Sequence, residues 1–317
     1  MTNFSTAQRG AGAKMIKIES VTKSFDTVKS LSEVSLAIQN GSIFGLIGSN
    51  GSGKSTLLRI ICGIYRPDEG EVFFDEERVR ENPSVKSRFA YLSDDQYFIP
   101  GSTVLDMKNF YKHVYPSFSD EKYAEYLKMF ELDENRRIST FSKGMQKQVS
   151  VLLGLSCCTD YMFCDETLDG LDPVMRQIVR KVIAYEVAAR GLTVVFASHN
   201  LKELEDICDH VALLHKGELI LEAGADDIKL GIHKIQVSFP KELADEAENR
   251  LKELSPIAFE RRSSLFTLTV RGDEKQLDDY VKSLNPLYSE FITLTLEEIF
   301  IAEMEERGYE FNEDILQ

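Results

Sequence analysis

Residues 48–56 read GSNGSGKST and separate two apolar runs of the chain. Three glycines in so short a stretch let the backbone turn so that successive N–H groups point inward at an anion. A helix that begins directly after such a turn adds the positive end of its dipole. The sequence therefore predicts a phosphate-binding loop between a buried strand and a helix. The fixed positions of the pattern G-x-x-x-x-G-K-[ST] are filled by Gly48, Gly53, Lys54 and Ser55.

The side chains that end this loop have distinct predicted roles. Lys54 is long enough to reach the β- and γ-phosphates of a nucleotide, and the Ser55 hydroxyl can ligate Mg²⁺. The competing interpretation is a tight turn followed by a surface lysine, which the complete pattern in a strand–loop–helix context disfavours. The residues predicted to contact the nucleotide are Gly48, Ser49, Asn50, Gly51, Ser52, Gly53, Lys54, Ser55 and Thr56.

Length and hydropathy limit the class of protein. The 317 residues suit one large domain with a small one, or two of ordinary size. The longest apolar stretches, such as residues 151–158, fall well short of the roughly 20 residues that span a bilayer. Residues 1–14 lack the apolar core of a signal peptide and are predicted to be a flexible leader. We therefore expect a cytosolic chain without a membrane span.

Charge and cysteine content exclude further classes. The net charge of −15 argues against unspecific binding to DNA or RNA, whose phosphates require a basic face. The acidity is concentrated in residues 232–317, with 10 Lys and Arg against 19 Asp and Glu. The five cysteines are an odd number without Cys-x-x-Cys spacing. They are typical of buried thiols in a reducing compartment, and neither a disulfide framework nor a metal site is expected.

The order of apolar patterns predicts the architecture. Alternation in residues 15–21 and 31–38 indicates half-buried strands that form an antiparallel flank. Residues 100–158 are largely helical and are predicted to be a helical insertion. Elsewhere, strands alternate with helices up to residue 230, which indicates a parallel α/β sheet with the phosphate loop at the carboxyl end of its strand. Residues 232–317 are predicted to be a separate, small α+β domain.

A second motif comes at the end of a strand. Four apolar residues, 161–164, are followed by Asp165 and Glu166. Beside a nucleotide, Asp165 can hold Mg²⁺ and Glu166 can position or deprotonate the attacking water. The alternative is a strand end with solvated acids. The phosphate loop upstream favours the catalytic interpretation.

The segment just before this strand carries a family resemblance. Residues 141–146 read FSKGMQ and resemble the signature sequence of ATP-binding-cassette (ABC) ATPases, which the chain resembles over residues 15–225. In that family the serine and glycine at a helix N-terminus face the γ-phosphate held by a second subunit, a role that the resemblance assigns to Ser142 and Gly144. Lys143 and Met145 depart from the commonest L-S-G-G-Q form, as they do in a bacterial exporter subgroup.

The resemblance extends to three further sites. Residues 169–172, DGLD, resemble the loop that contacts the second subunit. His199 follows an apolar strand at the position of the switch histidine, which contacts the γ-phosphate and the water beside Glu166. Phe25 matches the aromatic residue that stacks on adenine, although a phenylalanine at a strand end is also a common core residue.

One position departs from the family pattern. The loop that usually carries a glutamine near Mg²⁺ corresponds to residues 91–96, and by register Asp94 replaces that glutamine. A carboxylate oxygen at this place can still bind Mg²⁺ or its water, so Asp94 is a third predicted metal ligand beside Ser55 and Asp165. A solvated acidic loop is the alternative.

The resemblance implies an activity and partners. It implies an ATPase, with ATP and Mg²⁺ as cofactors, on the cytoplasmic face of the cell membrane. A head-to-tail dimer would enclose two ATP molecules and drive a separate membrane permease. The complete motif set favours a homodimer over a heterodimer, and the resemblance to exporter subunits favours export. No nucleic acid is expected as a partner.

Three other functions are compatible with a phosphate loop. A soluble ABC ATPase acting on ribosomes or DNA usually has two cassettes, a long coiled coil or basic extensions, which this acidic chain lacks. A P-loop kinase would not need the signature segment together with His199. A sensory module that binds ATP with little turnover is distinguished by measuring phosphate release.

Overall fold

The structure, a computed structural model, describes residues 15–224 and 231–306. The chain divides into two compact units after Glu222, each of which is described here by itself. The predicted leader, residues 1–14, lies outside the described residues. Within the described ranges, the helices are all too short or too polar to cross a membrane.

The first unit contains ten strands and seven helices within its described residues. The strands are β1 (Met15–Phe25), β2 (Val28–Gln39), β3 (Ile43–Ile47), β4 (Glu69–Phe74), β5 (Glu77–Arg78), β6 (Phe89–Leu92), β7 (Tyr161–Asp165), β8 (Thr193–Ser198), β9 (His210–His215) and β10 (Glu218–Gly224). The helices are α1 (Lys54–Ile61), α2 (Pro83–Lys86), α3 (Val104–Val114), α4 (Asp120–Met129), α5 (Lys143–Ser156), α6 (Pro173–Arg190) and α7 (Leu201–Glu205).

A six-stranded sheet in the order β10-β9-β3-β8-β7-β6 forms the centre of this unit. Strand β3 pairs in parallel with β8 and β9, and β7 pairs in parallel with β6 and β8. Every residue of β3, β7 and β8 is buried, as expected of strands covered on both faces. The parallel α/β sheet is therefore as predicted. Because parallel strands end at one edge, the segments that follow β3, β7 and β8 lie side by side.

A second sheet, in the order β2-β1-β4-β5, flanks the first. All of its strand pairs are antiparallel, which agrees with the predicted antiparallel flank. One apolar core joins this sheet to helix α1 and the central sheet. Ile16 and Phe74 of the flank, Leu58 of α1 and Phe163 of β7 all belong to that core. Its burial fixes the flank against α1, the helix that follows the phosphate loop.

Helices α3, α4 and α5 follow β6, in the region predicted to be a helical insertion. Each begins at a side chain that caps its N-terminus: Thr103, Ser119 and Ser142 accept backbone N–H bonds from the first turn. Helix α5 is buried along residues 148–156. The apolar pattern predicted these helices but not which side chains are covered, because Phe110 and Val114 are about half exposed.

The second unit is built around a four-stranded antiparallel sheet. Its elements are β11 (Ile232–Ser238), α8 (Ala244–Lys252), β12 (Ala258–Arg262), β13 (Leu265–Arg271), α9 (Glu274–Ser283), β14 (Tyr288–Ile292) and α10 (Leu296–Glu306). The strand order is β12-β13-β11-β14, so residues 258–262 and 288–292, which lack strong alternation, form the edge strands. With one helix after the first strand and one after the third, this order is that of a ferredoxin-like βαββαβ unit.

Candidate active site

The phosphate loop connects β3 to α1 and depends on glycine at both of its ends. A Cβ on Gly48 would lie 2.2 Å from the Leu214 carbonyl oxygen, which leaves no room for a side chain. Gly53 has φ of +106°, and a Cβ there would lie 2.6 Å from the Ser30 carbonyl oxygen. Both positions therefore need glycine, one for space and one for space and conformation. Helix α1 begins directly after the loop, and the N–H groups of its first turn have no hydrogen-bond acceptor within the helix.

The remaining loop residues differ in exposure and in their contacts. Asn50 and Gly51 are exposed at the tip, whereas Ser52 is buried. The Ser49 carbonyl accepts a bond from the Ser52 N–H at 3.1 Å, which closes the turn. The Thr56 hydroxyl accepts a bond from Ser30 Oγ at 3.0 Å, which ties α1 to the flanking sheet.

Lys54 is the first residue of α1, and its side chain is only 5% exposed. Its Nζ donates to the carbonyl oxygens of Gly48 at 2.7 Å and Ser49 at 3.1 Å, and lies 3.7 Å from Glu166 Oε1. Burial lowers the pKa of Lys54, while the carboxylates of Glu166 and Asp165 act in the opposite direction. The Lys54 ammonium group thus lies against the phosphate loop, where it could bind the oxygens of a phosphate in that loop.

Ser55 and Asp165 meet across the ends of α1 and β7. Ser55 Oγ donates to Asp165 Oδ1 at 2.8 Å, and Asp165 is 1% exposed. The other carboxylate oxygen accepts from the Tyr91 hydroxyl at 3.1 Å and lies 3.9 Å from Arg59 Nη2. Burial, together with the Asp165 charge, raises the pKa of Tyr91 to about 12, so this hydroxyl remains a donor. A hydroxyl and a carboxylate are the hard oxygen ligands that suit Mg²⁺.

Glu166 and His199 meet across the ends of β7 and β8. His199 Nδ1 lies 3.0 Å from Glu166 Oε2 and 3.5 Å from Asp169 Oδ2. Burial and the neighbouring Asp169 carboxylate raise the pKa of Glu166, while the Lys54 ammonium lowers it. A carboxylate with a raised pKa beside an imidazole can accept a proton from water.

Ser142 and Gly144 begin helix α5. Ser142 is exposed, and its Oγ accepts a bond from the Met145 N–H at 3.2 Å. A Cβ on Gly144 would lie 2.8 Å from the Gly170 carbonyl oxygen, so the helix start packs directly on the loop after β7. Asp172 ends that loop and caps α6 through the N–H groups of Val174 and Met175. The two predicted dimer-contact segments are therefore in contact with each other.

Two predicted side chains have other contacts. The Phe25 ring is 41% exposed and meets Tyr65 edge-on, with 5.4 Å between the ring centroids. The Lys23 ammonium lies over the same ring, 5.4 Å from its centroid, and the stacking of Phe25 on adenine stays a prediction. Asp94, predicted as a metal ligand, accepts a bond from Lys147 Nζ at 3.0 Å, and its part in Mg²⁺ binding stays a prediction.

The structure adds residues that the sequence pattern did not single out. Tyr91 lies in the apolar strand β6 and reaches Asp165 because β6 pairs with β7. Lys147 lies on α5 and contacts both Asp94 and the Glu166 backbone. A polar residue inside an apolar strand or helix indicates that its side chain has a buried polar partner. No local sequence motif identifies the partner of Tyr91 or of Lys147.

Comparison with known proteins agrees with this geometry. A family model described as ABC transporter matches residues 31–169. The chain is 29% identical over 289 residues to the ABC transporter ATP-binding protein YtrB of Bacillus subtilis, covering 91% of this chain and 97% of that one. It is 31% identical over 218 residues to the uncharacterized ABC transporter ATP-binding protein MJ1023 of Methanocaldococcus jannaschii, covering 67% of this chain and 79% of that one.

Solved structures show the same fold. The ATP-binding cassette MJ0796, a dimer bound to ADP and phosphate, superposes with a TM-score of 0.61 at 25% identity, covering 67% of this chain and 99% of that one. An ATP-binding subunit of an ABC transporter superposes with a TM-score of 0.63 at 24% identity, covering 68% of this chain and 92% of that one. The phosphate loop, the paired acids after β7 and the histidine after β8 thus lie in a shared architecture. This chain belongs to the family of ABC transporter ATP-binding proteins, whose cassettes are ATPases.

Proposed function

We propose that this protein hydrolyses ATP at the site between the phosphate loop and the ends of β7 and β8, and that hydrolysis powers export through a separate membrane permease. The observation that carries the proposal is the convergence of Glu166 with His199 at 3.0 Å and with Lys54 at 3.7 Å. A base, a proton partner and a phosphate-binding cation therefore meet at the carboxyl edge of one sheet.

The chemistry divides among these side chains. The loop amides and Lys54 bind the β- and γ-phosphates, and Phe25 stacks on the adenine. Glu166 accepts the proton of the attacking water, and His199 orients that water and the γ-phosphate. Ser55 and Asp165, with Asp94 as the third candidate, would hold a bound Mg²⁺, which would neutralise phosphate charge.

A second copy of the chain completes each site. At the N-terminus of α5, Ser142 is exposed and Gly144 packs on the loop after β7. A head-to-tail homodimer would place these groups on the γ-phosphate of the partner, where free N–H groups and the helix dipole favour an anion. The related cassette MJ0796 is dimeric, which supports this assembly.

The transporter role rests on the relatives. YtrB is named as an ABC transporter ATP-binding protein, and a further relative as the bacitracin transport ATP-binding protein BcrA of Bacillus licheniformis. We propose that the protein acts at the cytoplasmic face of the membrane. The acidic charge of the chain does not favour the rival function on ribosomes or DNA.

Replacing Glu166 with glutamine tests the proposed chemistry. Glu166→Gln keeps the size and polarity of the side chain but removes the base, so we expect phosphate release to fall by about 10²-fold or more with ATP affinity retained. Size-exclusion chromatography with ATP should then show a trapped dimer. The control is Glu81→Gln, since the Glu81 side chain is 86% exposed. Phosphate release at the unaltered rate in Glu166→Gln contradicts the proposal.

The transporter role needs its own measurement. We expect crosslinking in cells, followed by fractionation, to recover the protein with a multi-helix membrane protein, and ATP turnover to change when the two are reconstituted in vesicles. Recovery with ribosomes or DNA instead would support the rival.

A further inference from the structure

The backbone of Glu166 has an unusual conformation. Its φ is +46°, in the left-handed region that residues with a side chain rarely adopt. Such a residue is strained and persists only where the surroundings hold it. Two bonds hold this one: the Glu166 N–H donates to the Ala197 carbonyl at 2.9 Å, and the Glu166 carbonyl accepts from Lys147 Nζ at 2.7 Å. The direction of the proposed catalytic side chain therefore depends on Lys147.

Lys147 is well placed for this task. Its side chain is 11% exposed, and its ammonium has a second acceptor in Asp94 Oδ1 at 3.0 Å. A largely buried ammonium needs such acceptors, because an unpaired one is costly. The Asp94 side chain is 59% exposed, so this ion pair contributes little energy by itself. Its effect is to orient the ammonium towards the Glu166 carbonyl.

The same ammonium joins three segments of the site. Lys147 lies on α5, whose first residues follow Ser142; Asp94 lies in the loop after β6; Glu166 follows β7. Loss of the bond would free the peptide after Glu166 to relax towards an ordinary φ. The carboxylate would then move away from His199, and a displacement of about 1 Å costs on the order of 10²-fold in rate.

We propose that Lys147 is a positioning residue for Glu166, and that Asp94 is the carboxylate that holds Lys147 in place. The inference rests on the proposed role of Glu166 as the base. It adds a role for Asp94, which replaces the glutamine of the family pattern: Asp94 forms an ion pair with Lys147 on helix α5, the helix that begins with the signature sequence.

The test compares two replacements of Lys147 in the full chain. Lys147→Met removes the ammonium at similar volume, and we expect kcat for ATP to fall by about 10²-fold while KM stays within about twofold. Lys147→Arg keeps a donor and should recover about tenfold or more of the loss. Asp94→Asn should lower kcat by about fivefold, and adding it to Lys147→Met should cause no further loss. The control is Lys181→Met, since Lys181 is exposed on α6.

Three outcomes overturn the inference. The first is a kcat in Lys147→Met within twofold of the unaltered protein. The second is a KM that rises as much as kcat falls, with no rescue by arginine, which would indicate a general packing role. The third is full turnover in Glu166→Gln, measured in parallel, because then no base exists to be positioned. If Glu166→Gln loses ATP turnover while Lys147→Met keeps it, this inference alone is overturned and the proposed function stands.

Discussion

At the scale of single residues, the site is a set of charged groups that are held by their neighbours. Asp165 is buried and its two oxygens are occupied by the hydroxyls of Ser55 and Tyr91. A buried polar group is costly unless its hydrogen bonds are satisfied, and these two donors satisfy both carboxylate oxygens. Tyr91 therefore determines where the second oxygen of Asp165 points, although it has no place in the sequence motif.

Replacing Tyr91 with phenylalanine removes one hydroxyl and nothing else. A hydrogen bond to a charged group contributes about 1.5–3 kcal/mol, so Asp165 should be held less well in Tyr91→Phe. We expect the Mg²⁺ concentration for half-maximal ATP turnover to rise about tenfold and the thermal unfolding midpoint to fall by several degrees. A magnesium titration of phosphate release measures this. The control, Tyr97→Phe, changes a ring that is 79% exposed, and an equal response in both variants would contradict the role of Tyr91.

At the scale of elements, one buried acid connects helix α4 of the helical insertion to helix α6. Glu186 on α6 is fully buried; both of its oxygens accept from Lys122 Nζ at 2.6 Å, and Tyr126 donates at 2.6 Å. Arg190, one turn further along α6, also pairs with it. Burial alone would raise the pKa of Glu186, but these hydrogen bonds outweigh it and hold the pKa below its ordinary value.

Glu186→Gln should weaken this connection. The change leaves the ammonium of Lys122 and the guanidinium of Arg190 without a buried counter-charge, which costs about 3 kcal/mol. The lowered pKa also sets a pH dependence: the stabilisation is present above the ordinary pKa of a glutamate and is lost as pH falls through the lower folded value. Urea unfolding at several pH values measures both effects. Glu121→Gln on the exposed face of α4 is the control, and equal stability at neutral pH would contradict the prediction.

At the scale of the whole molecule, the chain divides into two compact units. A buried apolar cluster within the second unit includes Ile235, Leu251, Phe266 and Leu268. A unit with an apolar core of its own can unfold by itself. The predicted separation of residues 15–230 from residues 232–317 therefore becomes a measurable proposal.

Calorimetry should resolve two transitions in the full chain. ATP with Mg²⁺ should raise only the midpoint of the unit that carries the phosphate loop, because a ligand stabilises the state that binds it. Leu268→Ala creates a cavity at a fully buried position in the second unit. It should lower the free energy of unfolding of that unit by about 2–5 kcal/mol, and so shift only its transition to a lower temperature. Leu243→Ala is the matched control, since Leu243 is about half exposed. A single transition that responds to both changes would refute independent units.

The parts of this protein that could be predicted from sequence are those in which function lies in contiguous residues. The phosphate loop, the acids after β7 and the cap of α5 are local patterns, since glycine conformation, strand burial and helix capping act over a few residues. The contacts of Tyr91 with Asp165 and of Lys147 with Glu166 depend instead on strand order and helix packing, which bring together residues 74 and 19 positions apart. The apolar pattern does not predict the edge strands β12 and β14 for the same reason. They are strands because they pair with a neighbouring strand and not because apolar and polar residues alternate along them, so only the tertiary structure determines them.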